Sequence, residues 1–140
     1  MTQRITPYLL YEDVAGALDF LSEAFGFEEV LRYTGEEGYV NHAEMRLGEG
    51  VIFMGDPGDE YRSPKALGQT TVGIYVQVDD VDAHFEQAKA AGAQIREEPA
   101  DQEYGERRYS ARDLEGHDWF FAMPVNDVAP EEWGAEVATA

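Results

Sequence analysis

The sequence predicts an α+β fold: two βαβββ modules in pseudo-twofold arrangement. Three observations predict it. Tyr11-Glu12-Asp13-Val14 and Val78-Asp79-Asp80-Val81 each open a helical stretch. The stretches close on Phe25-Gly26-Phe27 and Ala91-Gly92-Ala93, and each is followed by strand-like sequence with a tight glycine turn, Leu47-Gly48-Glu49-Gly50 and Asp113-Leu114-Glu115-Gly116. Gly26 to Gly50 and Gly92 to Gly116 both span 24 positions. The offset between copies is 67 at Asp13 and Asp80 and 66 from Gly26 onward. A period kept over about 60 residues marks a duplicated supersecondary unit, and two copies of such a unit commonly enclose something between them.

Each element has its own signal. Residues 5–11 read as a strand, β-branched and aromatic before an acidic break. Asp13 supplies a helix cap, and Val14, Ala17, Leu18, Leu21 and Phe25 recur at helical spacing to make one apolar face. Gly26 stops that helix. Residues 28–33, 39–47 and 51–54 read as three strands, the first two joined by the hairpin signal Gly35-Glu36-Glu37-Gly38. Residues 56–69, rich in Gly, Pro and charge, read as the link between modules and as a candidate flap. The pattern then repeats: a strand over 71–78, a helix over 81–91 with Val81, Phe85 and Ala88 inward, and strands over 93–97, 107–112 and 117–123. The modules therefore occupy residues 1–55 and 71–123, with a linking loop over 56–70 and a tail over 124–140.

Composition bounds the function. A chain of 140 residues that is 44% hydrophobic can bury a substantial core. No apolar run approaches the roughly 18–20 residues of a membrane helix, and the N-terminus lacks a signal-peptide pattern. Cysteine is absent, which excludes disulfides, thiolate chemistry and Cys-ligated metals. The expected location is the cytoplasm. Ten Lys plus Arg against 29 Asp plus Glu give a net charge of −19, which repels nucleic acid and anionic membranes and favours cationic ligands. The scattered acids also serve solubility.

The paired units resemble the vicinal oxygen chelate superfamily of glyoxalase I, bleomycin-resistance proteins and extradiol dioxygenases. The resemblance covers about residues 4–123. It rests on Thr6-Pro7-Tyr8-Leu9, the helix start at Asp13, Phe25-Gly26-Phe27, Val78-Asp79-Asp80-Val81-Asp82, and Tyr104-Gly105-Glu106-Arg107-Arg108 leading to Arg112-Asp113-Leu114-Glu115-Gly116-His117-Asp118-Trp119. His42-Ala43-Glu44-Met45-Arg46-Leu47-Gly48 further resembles the PhnB-like branch. The resemblance implies a curled mixed sheet around a cleft, and a homodimer. It also implies that metal-dependent members carry ligands at the positions of Thr6, Met54, Gly73 and Phe120. None of these is a His, Glu or Gln, whereas a zinc or iron site needs about three N or O donors. The expected cofactor is therefore none, and the expected partner is a small molecule.

Strand alternation sorts the remaining candidates. Leu9, Tyr11, Val76 and Val78 face the helices. Thr6, Tyr8 and Leu10 face the cleft with Gly73, Tyr75 and Gln77, and Met54 and Phe120 share that lining. A four-residue hairpin at 113–116 sets Tyr109 across from Phe120, and a one-residue bulge sets Arg108 there instead. Met54, Tyr75 and Phe120 either line the cleft or fill the core. His42 shares a strand face with Glu44 and has three readings: a hydrogen-bonded strand histidine, a ligand-contacting base, or half of a His-x-Glu metal pair. His84 reads as helix packing and His117 as a turn residue. The lining Tyr8, His42, Met54, Tyr75, Gln77, Arg108, Tyr109 and Phe120 suits a flat organic or cationic molecule. The alternative is a lyase, isomerase or dioxygenase that uses a metal or a Tyr/His base.

Overall fold

The computed structural model describes residues 3–139. Strand β1 (Tyr8–Leu10), helix α1 (Val14–Phe25) and strands β2 (Glu28–Thr34), β3 (Val40–Leu47) and β4 (Gly50–Gly55) form the first unit. A single-turn helix α2 (Pro64–Leu67) lies in the linking segment. Strand β5 (Gly73–Gln77), helix α3 (Val81–Ala90) and strands β6 (Gln94–Asp101), β7 (Glu106–Arg112) and β8 (Asp118–Pro124) form the second. A 3-10 turn over Pro130–Trp133 follows, with the Trp133 ring edge-on to Tyr104 at 6.1 Å.

The strands build two four-stranded mixed sheets of identical order, β1-β4-β3-β2 and β5-β8-β7-β6. In each, the first strand pairs parallel with the last and the other pairings are antiparallel. The sheets remain separate, so β1 and β5 are both edge strands.

Helices α1 and α3 each start on an aspartate. Asp13 accepts from the Gly16 amide and Asp80 from the Ala83 amide, each at 3.0 Å, so a carboxylate satisfies one orphan donor at each positive helix end. Gly26 closes α1 at φ 81°, where a side chain would be strained. The apolar faces read from the sequence are buried: Val14, Ala17, Leu18, Leu21 and Phe25 on α1, and Val81, Phe85 and Ala88 on α3. The helices pack on each other as well as on their sheets. Phe25 reaches the second unit, its ring centroid 5.4 Å from Trp119 and 4.7 Å from Phe121. One core therefore serves both units.

The Asp113–His117 turn locks them together. Buried Asp113 takes four hydrogen bonds: from the Tyr11 hydroxyl (2.7 Å), the Trp119 indole (3.0 Å), and the amides of Glu115 (3.0 Å) and His117 (3.1 Å). Glu115 accepts from the Glu12 and Asp13 amides at the start of α1. Burial pushes its carboxyl above the usual carboxylate pKa, against those two bonds. His117 donates from Nε2 to the Leu10 carbonyl at 2.8 Å. A Cβ on Gly116 would lie 2.7 Å from the Lys65 amide, so the turn abuts α2 directly. The same contacts pin the linking segment expected to be a flap. Tyr61 donates to the Leu10 carbonyl, the Ser63 amide to Glu12, and the Lys65 amide to the Glu115 carbonyl.

His84 ties α3 to both units. Its Nε2 donates to the Phe25 carbonyl at 2.8 Å and its Nδ1 meets the Tyr109 hydroxyl. Burial pushes its pKa below the usual histidine value. Between the ordinary value of about 6.5 and the lowered native one, the unfolded chain binds more protons than the folded chain, so stability falls as pH drops through that window. Denaturant unfolding of wild type and His84→Gln on either side of it should show a shallower acid loss in the variant. Equal slopes would remove His84 from the acid response.

Candidate functional site

Each sheet has one face under the helices and one open face. On β1, Leu9 is buried while Tyr8 and Leu10 are exposed, and on β5 Tyr75 is exposed. The alternation read from the sequence holds on both strands. On β4 and β8 the picture changes.

The parallel register sets Tyr8 beside Phe53 and Tyr75 beside Phe120. Phe53, rather than Met54, is therefore the first-unit equivalent of Phe120. Met54 is fully buried on the helix side. Four residues lie between the paired Arg46 and Val51, and five between the paired Arg112 and Asp118. That one extra residue shifts β8 by one position relative to β4, and a one-residue shift exchanges the two faces of a strand. The same register corrects the alternatives at β7. Ser110 sits across from Phe120 and Tyr109 across from Phe121. Tyr109 is fully buried beneath the helices, and burial raises its pKa well above the usual tyrosine value. Arg108 faces the open side, its guanidinium 5.2 Å from the Phe120 ring centroid and 3.2 Å from Glu97.

The open faces thus repeat one motif. In the first sheet the Tyr8 and Phe53 rings meet edge to face at 6.0 Å. In the second, Tyr75 and Phe120 lie nearly parallel at 6.1 Å. Around these pairs the chemistry diverges. His42 and Glu44 flank the first, and Arg108 and Ser110 occupy the equivalent places beside the second. The Tyr8 hydroxyl lies 3.1 Å from His42 Nδ1, and His42 Nε2 lies 3.1 Å from Glu44 Oε2. In the second sheet the Tyr75 hydroxyl turns to Glu106 and Tyr104. Burial, and then the Glu106 bond, raise its pKa far above the usual value. Gln77 is exposed on the same face as Tyr75.

Glycines make room for this arrangement. A Cβ on Gly55 would sit 2.7 Å from the Tyr8 ring, and one on Gly73 would sit 2.6 Å from the Phe120 ring. Two hollows border the seam between β1 and β5. One, of about 400 Å³, is lined by Tyr8, Leu10, Leu67, Val72, Ile74 and His117 among others. The other, of about 620 Å³, is lined by Ile5, Pro7, Val51, Tyr75 and Gln77 among others. Both lie within the range of small-molecule sites. With Phe53 replacing Met54, the corner positions become Thr6, Phe53, Gly73 and Phe120, which still offer no imidazole or carboxylate. Among the described residues, no three His, Asp or Glu side chains converge to hold an ion.

The family model for the glyoxalase/bleomycin resistance protein/dioxygenase superfamily matches residues 4–121. The chain belongs to this superfamily. An uncharacterized protein of Mycobacterium bovis is 34% identical over 140 residues, covering 96% of this chain and 92% of its own length. The crystal structure of TioX from Micromonospora sp. ML1 is 36% identical and superimposes with a TM-score of 0.73, covering 89% of this chain and all of TioX. A superfamily member from Nocardioides shares the fold at 15% identity, with a TM-score of 0.68 over 99% of this chain and 92% of that one. No helix among the described residues is long and apolar enough to cross a membrane.

The predicted site residues therefore divide. Tyr8, His42, Tyr75, Gln77, Arg108 and Phe120 lie on the open faces, whereas Met54 and Tyr109 lie in the core. Sequence reasoning missed Phe53. The signal was present, because Tyr8 to Tyr75 and Phe53 to Phe120 are both offsets of 67 between identical residues.

Proposed function

We propose that this superfamily member binds a flat aromatic, cationic small molecule on its open sheet faces without a metal, in the manner of a sequestration protein. One observation carries the reading: the Tyr–Phe pair is duplicated at equivalent positions of the two sheets, where Tyr8 and Tyr75 are 54% and 51% exposed. Solvent-facing aromatic pairs of this kind gain area and stacking energy from a flat ligand. A net charge of −19 raises the local concentration of cations, and the ring faces attract them. The corner residues support a metal-free site because their side chains supply no strong donor. The unpaired edges of β1 and β5 support a homodimer.

A thermal-shift panel of flat aromatic cations, neutrals and anions tests this. At a hundredfold excess over Kd, a ligand stabilises by about 2.7 kcal/mol, equivalent to a Tm rise of roughly 10 °C in a chain of this size. Cations should lead the ranking. Absence of any shift across the panel refutes the reading.

The alternative is an acid–base lyase or isomerase of the same superfamily. It draws on the hydrogen-bonded chain Tyr8–His42–Glu44. Mass spectrometry of the recovered ligand separates the two, since sequestration returns it unchanged.

A further inference from the structure

The structure assigns the Tyr8 hydroxyl oxygen as the acceptor for an N–H group on an aromatic cation, with the His42–Glu44 pair setting its polarity. This deepens the binding reading above and rests on it. The argument runs along the hydrogen-bond chain. The Glu44 carboxylate only accepts. His42 Nε2, 3.1 Å from Glu44 Oε2, must therefore carry the ring proton. Nδ1 of the neutral ring is then an acceptor, and the Tyr8 hydroxyl, 3.1 Å away, donates into it. The phenol spends its only proton inward. What Tyr8 turns to solvent is lone pairs, beside the Phe53 ring face and in a strongly anionic field. That combination recognises an N–H donor on a positive, flat ligand.

Glu44 flanks His42 on β3, Tyr8 reaches it from β1, and Tyr33 lies opposite on β2. From β4 it meets Gly55 across the strands and the uncharged Phe53 ring at 5.7 Å. The geometry also depends on Gly55, because a Cβ there would lie 2.8 Å from the Tyr8 hydroxyl oxygen. In the second sheet Arg108, which has no acceptor, stands at the place of His42, so Tyr75 is not oriented in this way.

Two probes separate this from simple cation attraction. The 9-aminoacridine cation carries N–H donors, and 10-methylacridinium has the same shape and charge with none. 9-Aminoacridine should bind roughly tenfold tighter, the ratio one good hydrogen bond supplies. Tyr8→Phe, which keeps the ring, should bring the two within about twofold, and Gly55→Ala should do the same by displacing the phenol. Nitrogen-15 NMR of the imidazole gives a ligand-free readout, the neutral ring appearing as the Nε2–H tautomer. Equal affinities in wild type, a preference that survives Tyr8→Phe, or the Nδ1–H tautomer would each overturn the assignment while leaving aromatic binding intact. Failure of both probes to bind would overturn the aromatic platform and this assignment with it.

Discussion

Asp113→Ala is expected to destabilise the protein by about 3–5 kcal/mol. The carboxylate is the shared acceptor for the Tyr11 hydroxyl, the Trp119 indole and two turn amides. Alanine would leave these buried donors facing a small void. Each unsatisfied donor costs about 1–3 kcal/mol, reduced where water enters. Such a loss takes up much of the 5–15 kcal/mol that a domain of this size commonly has. Denaturant unfolding monitored by Trp119 fluorescence measures it. Two further variants place the effect. Tyr11→Phe removes one donor together with its need for a partner, and should cost only about 1 kcal/mol. Asp113→Asn keeps the shape but turns one acceptor into a donor, and should fall between the two. A cost below about 1 kcal/mol for Asp113→Ala would mean that the two units hold together without the turn.

The Phe53→Ala, Phe120→Ala double variant is expected to lose roughly 100-fold in affinity for an aromatic cation, by isothermal titration. Each ring contributes apolar area and a π-face. About 1.4 kcal/mol per ring is tenfold, and two rings on separate sheets should add. Both side chains sit on open faces, so thermal stability should change far less than affinity. The single variants are informative in themselves. Equal losses mean that the ligand spans both sheets, and one loss carrying the whole effect assigns it to a single sheet. Unchanged affinity in the double variant would exclude the aromatic pairs as the binding surface.

Much of the fold was legible before any coordinates. The repeat, the element order, the aspartate-started helices and the buried faces of α1 and α3 all follow from local patterns: spacing, period and capping residues within a few positions of each other. Boundaries followed less closely. The sequence predicts the first strand over 5–11, and it is Tyr8–Leu10; it predicts that the sixth ends near residue 97, and it runs to Asp101. Strand ends are set by pairing with neighbours, which distant sequence decides.

The site was legible in part for the same reason. Alternation alone placed Tyr8 and Tyr75 outward, because their face depends only on the strand they occupy. Met54 follows from the 66-residue offset of the resemblance and Tyr109 from a four-residue hairpin at 113–116, but one additional residue between β7 and β8 puts Phe53 in the place of Met54 and Ser110, not Tyr109, opposite Phe120. The motif at 112–119, a marker of family resemblance, is here largely a fastening between units. Asp113, Glu115 and His117 reach residues more than 100 positions away. No local pattern announces such partners.

By itself the sequence determined that a βαβββ unit is used twice and that the chain is strongly anionic. These are properties of residue identity and short-range spacing. Only the tertiary structure decided that Phe53 faces outward, that Tyr8 crosses Gly55 to meet His42, and that the second half clasps the start of the first helix. Those depend on strand register and on contacts between chain segments far apart, and a shift of a single residue in either reverses which side chains a ligand would meet.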